Sequence, residues 1–261
     1  MKYAKKSLGQ NFLNDKNIIN KIINITQLRN RHVIEIGPGT GTLTEEILKK
    51  NPKSLTLIEK DNKLAMLLLQ KYSSCLNIKI YNSDILKFDL ENINKENSII
   101  IGNLPYNISS QILVQILRLK NWPPKFKDFI FMFQKELGEK IIGKFLTKDY
   151  GRLSILSNLR LNIMKKFLVS PNCFFPKPKV KSMVIHFQPK KKIVSKIRDI
   201  RNLEKITNTL FSNKRKMINK NLKKLLNKSD LDLIKDLNPN LRPSQIKPEI
   251  IYKITELFEK Y

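Results

Sequence analysis

Cysteine and histidine are scarce in this sequence of 261 residues, which contains two of each. Cys75 and Cys173 lie far apart, and no C-x-x-C or His-rich spacing is present. We therefore expect free thiols in a reducing compartment and no metal site. His32 and His186 fall in strand-like segments, and no nucleophile, histidine and acid are arranged as in a hydrolase, so both histidines are interpreted as structural.

Long apolar runs and negative charge are also lacking. No apolar run follows the basic N-terminus, so we expect neither a signal peptide nor a membrane span, and a cytoplasmic location. The 22 acidic residues are opposed by 50 Lys and Arg, which gives a net charge of +28. Such an excess favours a polyanionic partner. Because the chain is also rich in Asn and Ile, an A/T-rich genome could inflate this charge, and its sign is better evidence than its size.

Apolar segments with strand and helix periodicity alternate through most of the chain, which predicts a doubly wound, Rossmann-like α/β sheet. The predicted strands are 32–36, 55–58, 78–81, 98–102 and 128–133, with a closing hairpin of 161–169 and 183–188. The predicted helices of this part include 14–26, 42–50, 134–144 and 152–158. After residue 188 no strand is expected, and helical spacing marks 197–211, 214–227 and 248–261. We therefore predict an α/β domain at 1–192 and a small helical domain at 193–261.

Glycines and two acids follow three successive predicted strands. Gly37 and Gly39 form a G-x-G-x-G turn in which Pro38 removes a backbone donor, so close contact with an uncharged ligand is expected. Glu59 ends the next strand and is placed to accept both ribose hydroxyls of an adenosine. Asp84 follows the third strand and can accept from an adenine amino group. Either acid alone would usually be a solvated loop residue, but the aligned set predicts a nucleoside site at the carboxyl ends of the strands.

The fourth strand runs into Asn103-Leu104-Pro105-Tyr106. Pro105 fixes its own φ and favours an extended Leu104, which leaves the Asn103 amide oxygen and the Leu104 carbonyl able to face a ligand. Two acceptors beside the flat Tyr106 ring suit a planar base that carries an exocyclic NH2 group. In isolation, a tight turn with a packed tyrosine would explain the motif equally well, but the preceding nucleoside site favours a base amine as the substrate atom.

These motifs together resemble the S-adenosylmethionine-dependent RNA adenine-N6 dimethyltransferases, and more narrowly the small-subunit ribosomal RNA group. Five further segments match that family in order, so the resemblance covers nearly the whole chain: Gly9–Leu13, Tyr150–Ser154, Phe174–Ser182, Phe211–Lys216 and Leu241–Pro243. The resemblance implies a class I methyltransferase domain at 1–192 and S-adenosylmethionine as methyl donor. The implied substrate is a pair of adjacent adenosines near the 3′ end of small-subunit (16S) RNA in a pre-ribosomal particle, modified during subunit biogenesis. No obligate protein partner is evident in the sequence, so a monomer is expected.

Residue roles follow from the resemblance and from the charge pattern. The resemblance implies that Asn11, Leu13 and Asn103 contact the cofactor, that Phe174 stacks on the target base and that Arg152 contacts RNA. Six basic residues crowd the segment 214–224, hereafter the basic segment, where acids are lacking: Lys214, Arg215, Lys216, Lys220, Lys223 and Lys224. The alternative interpretation of the basic segment is a helix face that is exposed to solvent without a partner, but contact with the RNA backbone is favoured.

Three other functions compete with this hypothesis. A large-subunit adenine-N6 methyltransferase of the macrolide-resistance type shares the Asn-x-Pro-Tyr chemistry, but Gly9, Pro38 and Asn107-Ile108-Ser109 look like the small-subunit group. A DNA adenine methyltransferase usually has a second proline in the motif. A non-catalytic RNA-binding assembly factor would not need the two acids, Glu59 and Asp84, at the strand ends. Phe175 and Lys181 depart from the commoner small-subunit pattern.

Overall fold

The computed structural model describes residues 9–260. Two compact units are formed, one by residues up to Gly138 together with Asn162–Pro189, and the other by Glu139–Leu161 together with the residues from Lys190 onward. The second unit therefore combines two separate stretches of the chain, whereas the sequence pattern placed 139–161 in an α/β domain that ends at 192. The division at 192/193 stays a prediction. Tyrosine hydrogen bonds join the two stretches of the second unit.

The Tyr150 hydroxyl donates to the carbonyl of Ile246 at 2.8 Å, and the Tyr252 hydroxyl donates to that of Ile155 at 3.0 Å. Each bond joins the 139–161 segment to the C-terminal part of the chain. Burial of both tyrosines raises the pKa of their hydroxyls well above the ordinary value. These hydroxyls therefore act as donors that hold the second unit together.

The regular elements follow one another along the chain as β1 (Phe12–Leu13), α1 (Lys16–Ile23), β2 (His32–Ile36), α2 (Thr42–Leu48), β3 (Ser54–Glu59), α3 (Asn62–Lys71), β4 (Ile78–Asn82), β5 (Ser98–Asn103), α4 (Ser109–Leu117), β6 (Phe126–Gln134), α5 (Lys135–Ile141), α6 (Arg152–Arg160), β7 (Leu161–Val169), β8 (Phe174–Phe175), β9 (Ser182–Pro189), α7 (Ile200–Leu210), α8 (Asn219–Leu222), α9 (Lys228–Asp232) and α10 (Pro248–Phe258). Short 3-10 helices occupy Leu90–Ile93, Pro171–Cys173, Phe211–Asn213 and Pro243–Gln245.

The central sheet has seven strands in the order β4-β3-β2-β5-β6-β9-β7. The pairs from β4 to β6 are parallel, and β9 pairs with β6 in the antiparallel sense. The fold class predicted from the sequence is confirmed. The chain leaves β2 toward β3 and β4, then returns to place β5 on the other side of β2. This reversal is the switch point at which open parallel sheets bind ligands.

Burial explains why these segments form the inner strands. Ile99, Ile100 and Ile101 are fully buried, as expected for a parallel strand covered by helices on both faces. Aspartates cap α1 and α3 at their N-termini: the Asp15 carboxylate accepts from the backbone of Ile18 at 2.9 Å, and Asp61 accepts from that of Lys63 at 2.9 Å. A separate ribbon, in which β1 pairs with β8, was not predicted.

In the second unit the predicted helix at 214–227 is wrong. Only Asn219–Leu222 is α-helical in that range, and Lys214–Lys216 lie in a turn after a 3-10 helix. Clustered like charges repel on one helix face, and the asparagine side chains compete for backbone groups. The predictions at 197–211 and 248–261 correspond to α7 and α10, with Tyr261 outside the described residues. None of the helices in 9–260 is both long enough and apolar enough to cross a membrane.

Candidate active site

A cleft lies at the carboxyl ends of β2, β3, β4 and β5 and opens to solvent. The lining brings together Gly37 and Gly39 after β2, Glu59 at the end of β3, Asp84 after β4 and Asn103 at the end of β5. These residues share one edge of the sheet, as the order of strands and motifs in the sequence predicts.

The glycine turn approaches the ligand space through its backbone. Gly37 and Gly39 have φ values of +66° and +60°, in the left-handed region that L side chains rarely adopt. A Cβ atom on Gly39 would also lie 2.9 Å from the Phe12 ring. The turn therefore needs glycine both for its conformation and for the close contact with β1.

Glu59 joins the glycine turn to the end of β3. Its Oε2 accepts from the backbone of Gly39 at 3.1 Å, and its Oε1 accepts from that of Asp61 at 2.8 Å. The residue is 6% exposed, and burial raises the pKa of its carboxyl while these backbone donors oppose the rise. Each oxygen can still accept a second hydrogen bond. The two backbone hydrogen bonds fix the rotamer of Glu59 before any ligand binds.

Asp84 is more open and already has a cationic partner. Its Oδ2 lies 2.7 Å from the Lys60 ammonium, and its Oδ1 accepts from the backbone of Leu86 at 3.0 Å. The hydrogen bond from Lys60 is the main cause that lowers the pKa of the Asp84 carboxyl. A ligand amine that reaches this carboxylate would therefore share it with a partly exposed lysine. The sequence pattern did not reveal Lys60.

Asn103 is oriented by the N-terminal segment. Its Nδ2 donates to the backbone carbonyl of Asn11 at 2.8 Å, while the Asn11 side chain donates to the carbonyl of Gly9 at 3.3 Å. Since the amide nitrogen is bound to protein, the amide oxygen is the group that this side chain can offer to a ligand. Asn11, which the resemblance placed at the cofactor, thus lines the cleft and also positions Asn103.

Tyr106 lines the same cleft, and its hydroxyl is held from β9. It shares a hydrogen bond of 2.6 Å with Oγ of the buried Ser182, and its carbonyl accepts from Oγ of Ser109 at 3.2 Å. Burial raises the pKa of the tyrosine hydroxyl. The role of Ser182 was missed, although Ser182 closes the motif that begins at Phe174. This serine holds the hydroxyl end of the Tyr106 ring in place.

Leu13 and Phe174 lie together but not in the lining of the cleft. They are opposite each other in the β1–β8 ribbon, and they are only 5% and 3% exposed within the apolar core. In this conformation the Phe174 ring is covered by protein, so stacking on a base would require the ribbon to move. The roles given to both residues by the resemblance stay predictions.

Glu35 is a buried acid that the sequence motifs did not single out. It lies in β2 just before the glycine turn, is 1% exposed and accepts from Oγ1 of Thr44 at 2.7 Å. Burial is the main cause that raises the pKa of this carboxyl to about 8, and nearby Glu59 contributes. Glu35 is therefore protonated at neutral pH. The sequence signal that could have revealed Glu35 is an acidic residue within an otherwise apolar strand.

The predicted RNA-binding residues all belong to the second unit and are exposed. Arg152 is the first residue of α6, Lys214, Arg215 and Lys216 lie in the turn, and Lys220 lies in α8. The turn is anchored beneath them by buried apolar residues, among them Phe211, Ile218 and Leu222. Across 9–260 no group of three or more His, Cys, Asp or Glu side chains could hold a metal ion.

A mostly parallel sheet of this order, with a glycine turn and acids at its carboxyl edge, is the fold of the class I, Rossmann-like methyltransferases. A family model described as ribosomal RNA adenine dimethylase matches residues 1–260. The chain therefore belongs to the ribosomal RNA adenine dimethylase family. The predicted family and enzyme class are confirmed, as is S-adenosylmethionine as the methyl donor that these enzymes use.

Similar proteins agree with this assignment. The ribosomal RNA small subunit methyltransferase A of Pelagibacter ubique (strain HTCC1062) is 44% identical over 98% of this chain and 97% of that protein. A crystal structure of a dimethyladenosine transferase from Plasmodium falciparum is similar with a TM-score of 0.79 and 25% identity over 95% of this chain and 98% of that one. The 23S rRNA methyltransferase ErmE gives a TM-score of 0.67 and 25% identity over 95% of this chain and 100% of that one.

Proposed function

We propose that this enzyme transfers methyl groups to N6 of two adjacent adenosines near the 3′ end of small-subunit ribosomal RNA, and so contributes to small-subunit biogenesis. The observation that carries the proposal is the orientation of Asn103, whose amide nitrogen is bound by Asn11 and whose oxygen remains for a substrate amine. The names of the curated relatives support the small-subunit substrate over the large-subunit alternative.

The cleft fits S-adenosylmethionine by the polar groups that line it. We assign the ribose hydroxyls to Glu59, the adenine amino group to Asp84 and close backbone contacts to Gly37 and Gly39. Asn11 and Asn103 complete the contacts in the cleft, and the buried Leu13 supports them from the ribbon. When bound, S-adenosylmethionine supplies an electrophilic methyl group on a sulfonium centre.

The groups of the chain act on the nucleophile. The lone pair of an adenine N6 is delocalised into the ring, which makes it a weak nucleophile. Hydrogen bonds from its two N–H groups to the Asn103 oxygen and the Leu104 carbonyl favour a pyramidal nitrogen and stabilise the positive charge that develops there. Pro105 holds this pair of acceptors in place, and the Tyr106 ring forms a stacking wall for the base, with Phe174 as its predicted partner.

A dedicated base is not needed, because an alkylated ammonium is acidic and loses its proton readily. Dimethylation adds one geometric requirement. After the first transfer only one N–H remains, so the two acceptors cannot both be satisfied, and the amine must rotate within the pocket before the second transfer.

The RNA is assigned to exposed cations of the second unit. We propose that Arg152, Lys214, Arg215, Lys216 and Lys220 contact phosphates of a pre-ribosomal particle. The enzyme is proposed to act as a monomer in the cytoplasm, where this substrate is assembled. A polyanionic substrate is consistent with the net charge of +28.

The test is to incubate the protein and labelled S-adenosylmethionine with unmodified small-subunit particles, with large-subunit RNA and with DNA, and then to map the label. Label on two adjacent adenosines of the small-subunit RNA is the expected result. Label on large-subunit RNA would establish the alternative substrate. Absence of label on all three, with cofactor and RNA both bound, would favour the non-catalytic assembly factor.

A further inference from the structure

The β1–β8 ribbon has two chemically different faces. Residues directly opposite in an antiparallel pair project their side chains to the same face. Leu13 and Phe174 form one such pair and are buried in the apolar core. Phe12 and Phe175 form the other pair, and they therefore project to the opposite face of the ribbon. The pleat thus separates two consecutive phenylalanines, Phe174 inward and Phe175 outward.

The outer face belongs to the cleft. Phe12 lines the cleft, and its ring is so close to the glycine turn that a Cβ on Gly39 would lie 2.9 Å from it. Phe175 shares the face of Phe12 and is 45% exposed. The ribbon therefore presents an open aromatic ring beside the mouth of the cleft, whereas the Phe174 ring is enclosed.

Cations follow the exposed ring directly. Lys177, Lys179 and Lys181 are all exposed, and residues 162–189 contain no Asp or Glu. Pro176 and Pro178 alternate with the first two lysines, and each proline ring fixes its own φ. A single exposed apolar residue needs no explanation, but an exposed ring followed by regularly spaced cations is the chemistry that binds single-stranded nucleic acid.

We propose that Phe175 stacks on an RNA base that adjoins the target adenosine, while Lys177 and Lys179 contact the phosphates that follow. The inference rests on the proposed function and deepens it, because it names the residue that holds the nucleotide next to the reacting one. In this conformation the buried Phe174 anchors the ribbon in the apolar core. Phe175 is also a position at which this chain departs from the commoner small-subunit pattern.

The test compares four substitutions at one position. Phe175→Ala and Phe175→Leu both remove the aromatic ring, but leucine keeps most of the apolar surface. Phe175→Tyr and Phe175→Trp keep a ring that can stack. We expect the affinity for a single-stranded RNA oligonucleotide with the target sequence to fall about 5- to 100-fold in the Ala and Leu variants, the loss of one base stack. The Tyr and Trp variants should retain affinity.

Two controls make the result specific. Leu168→Ala removes a side chain of similar exposure, 47%, from β7 and should change RNA affinity less than about twofold, since it carries no stacking ring. Calorimetry should give unchanged affinity for S-adenosylmethionine in every Phe175 variant. Wild-type RNA affinity in Phe175→Ala would overturn the proposal, and so would full rescue by leucine, which would indicate apolar burial without stacking.

The substrate assay separates this proposal from the proposed function. If the wild type labels large-subunit RNA instead, the proposed substrate is wrong, and the Phe175 series can be repeated on that RNA. If the wild type labels the small-subunit RNA and all four variants bind it equally well, only the stacking proposal is wrong.

Discussion

Two polar regions of the molecule, the rim of the cleft and the basic segment, are held in different ways. The rim is the set of residues at the carboxyl ends of the strands: Gly37, Glu59, Asp84 and Asn103. At the rim, Glu59 is 6% exposed and both of its oxygens are bound by backbone N–H groups, while the Asn103 amide is fixed by the carbonyl of Asn11. In the basic segment the charged side chains are largely exposed to solvent. The rim has a fixed geometry before ligand binds, whereas the segment offers charge with little geometry.

This difference separates two kinds of recognition. A preorganised acceptor acts on one atom of the substrate and loses its effect when displaced by about an ångström. Exposed cations attract a phosphate backbone from a distance, without selecting a sequence, and salt screens them. Substitutions at the rim should therefore have large and local effects, and substitutions in the basic segment should have smaller effects that depend on salt.

The largest effect is expected for Asn103→Ala. Loss of one preorganised hydrogen-bonding group of this kind typically lowers a rate by roughly 10²- to 10³-fold. We expect a fall of this size in single-turnover methylation at saturating substrate, with little change in RNA affinity because the cations remain. Asn62→Ala, which removes an exposed amide at the start of α3, is the matched control. A rate at the wild-type level would show that Asn103 has no role at the reacting amine.

Glu59→Ala should mainly weaken cofactor binding. It removes two charge-assisted acceptors, each worth about 1.5–3 kcal/mol, so the loss of even one of them should lower the affinity at least roughly tenfold. It also frees the backbone of Gly39, which loosens the glycine turn. Calorimetry on the folded variant measures the change. Glu96→Ala, an exposed acid just before β5, should bind normally. Unchanged affinity in Glu59→Ala would exclude the assignment of Glu59 to the ribose.

The rim could be predicted from sequence because its signals are local. Each strand is a short apolar run, and each functional residue follows its strand closely, so parallel pairing was enough to align Gly37, Glu59, Asp84 and Asn103. The β1–β8 ribbon could not be predicted in this way. Its strands are two residues long and far apart in the chain, so neither has a period of its own.

In the basic segment, by contrast, a clear sequence pattern predicted a helix that is mostly absent from the structure. Its apolar spacing predicted a helix over 214–227, but the α-helix is limited to Asn219–Leu222. Repulsion between the basic side chains and competition of asparagine side chains for backbone groups both disfavour a longer helix. Hydrophobic period located the buried Ile218 and Leu222, which do pack inward. It could not weigh the repulsion between charges on the exposed side. Contacts such as Tyr106 with Ser182 were also beyond prediction, because they depend on the final tertiary arrangement.

Substitution of Glu35, which is buried in β2 just before the glycine turn, tests how a buried carboxyl makes the unfolding free energy depend on pH. Its pKa is raised to about 8, so its stabilising contribution is complete below the ordinary glutamate value and is lost as pH rises toward about 8. The wild type should lose roughly 1.4 kcal/mol of unfolding free energy per pH unit in that window relative to Glu35→Gln. Urea unfolding of both proteins across the window measures this slope. Parallel pH profiles would show that Glu35 is ionised in the folded state.

The smallest effect is expected in the basic segment. If it contacts phosphates, RNA affinity should fall linearly with salt on a log–log plot, and reversal of Lys214, Arg215 and Lys216 to Glu should flatten the slope by about 0.7–0.9 per lost contact. S-adenosylmethionine binding should not change, because the residues assigned to it belong to the first unit. The matched control reverses three exposed lysines near the amino end of β6, opposite the cleft edge of the sheet: Lys120, Lys125 and Lys127.

The control separates contact from net charge. Both triple variants change the charge of the protein by the same amount, so a long-range field alone would weaken RNA binding equally in both and leave the slopes alike. Compositional drift toward lysine predicts this second pattern. A flatter slope confined to the Lys214, Arg215 and Lys216 variant would assign the phosphates to the basic segment, whereas equal slopes in wild type and both variants would remove it from the RNA interface.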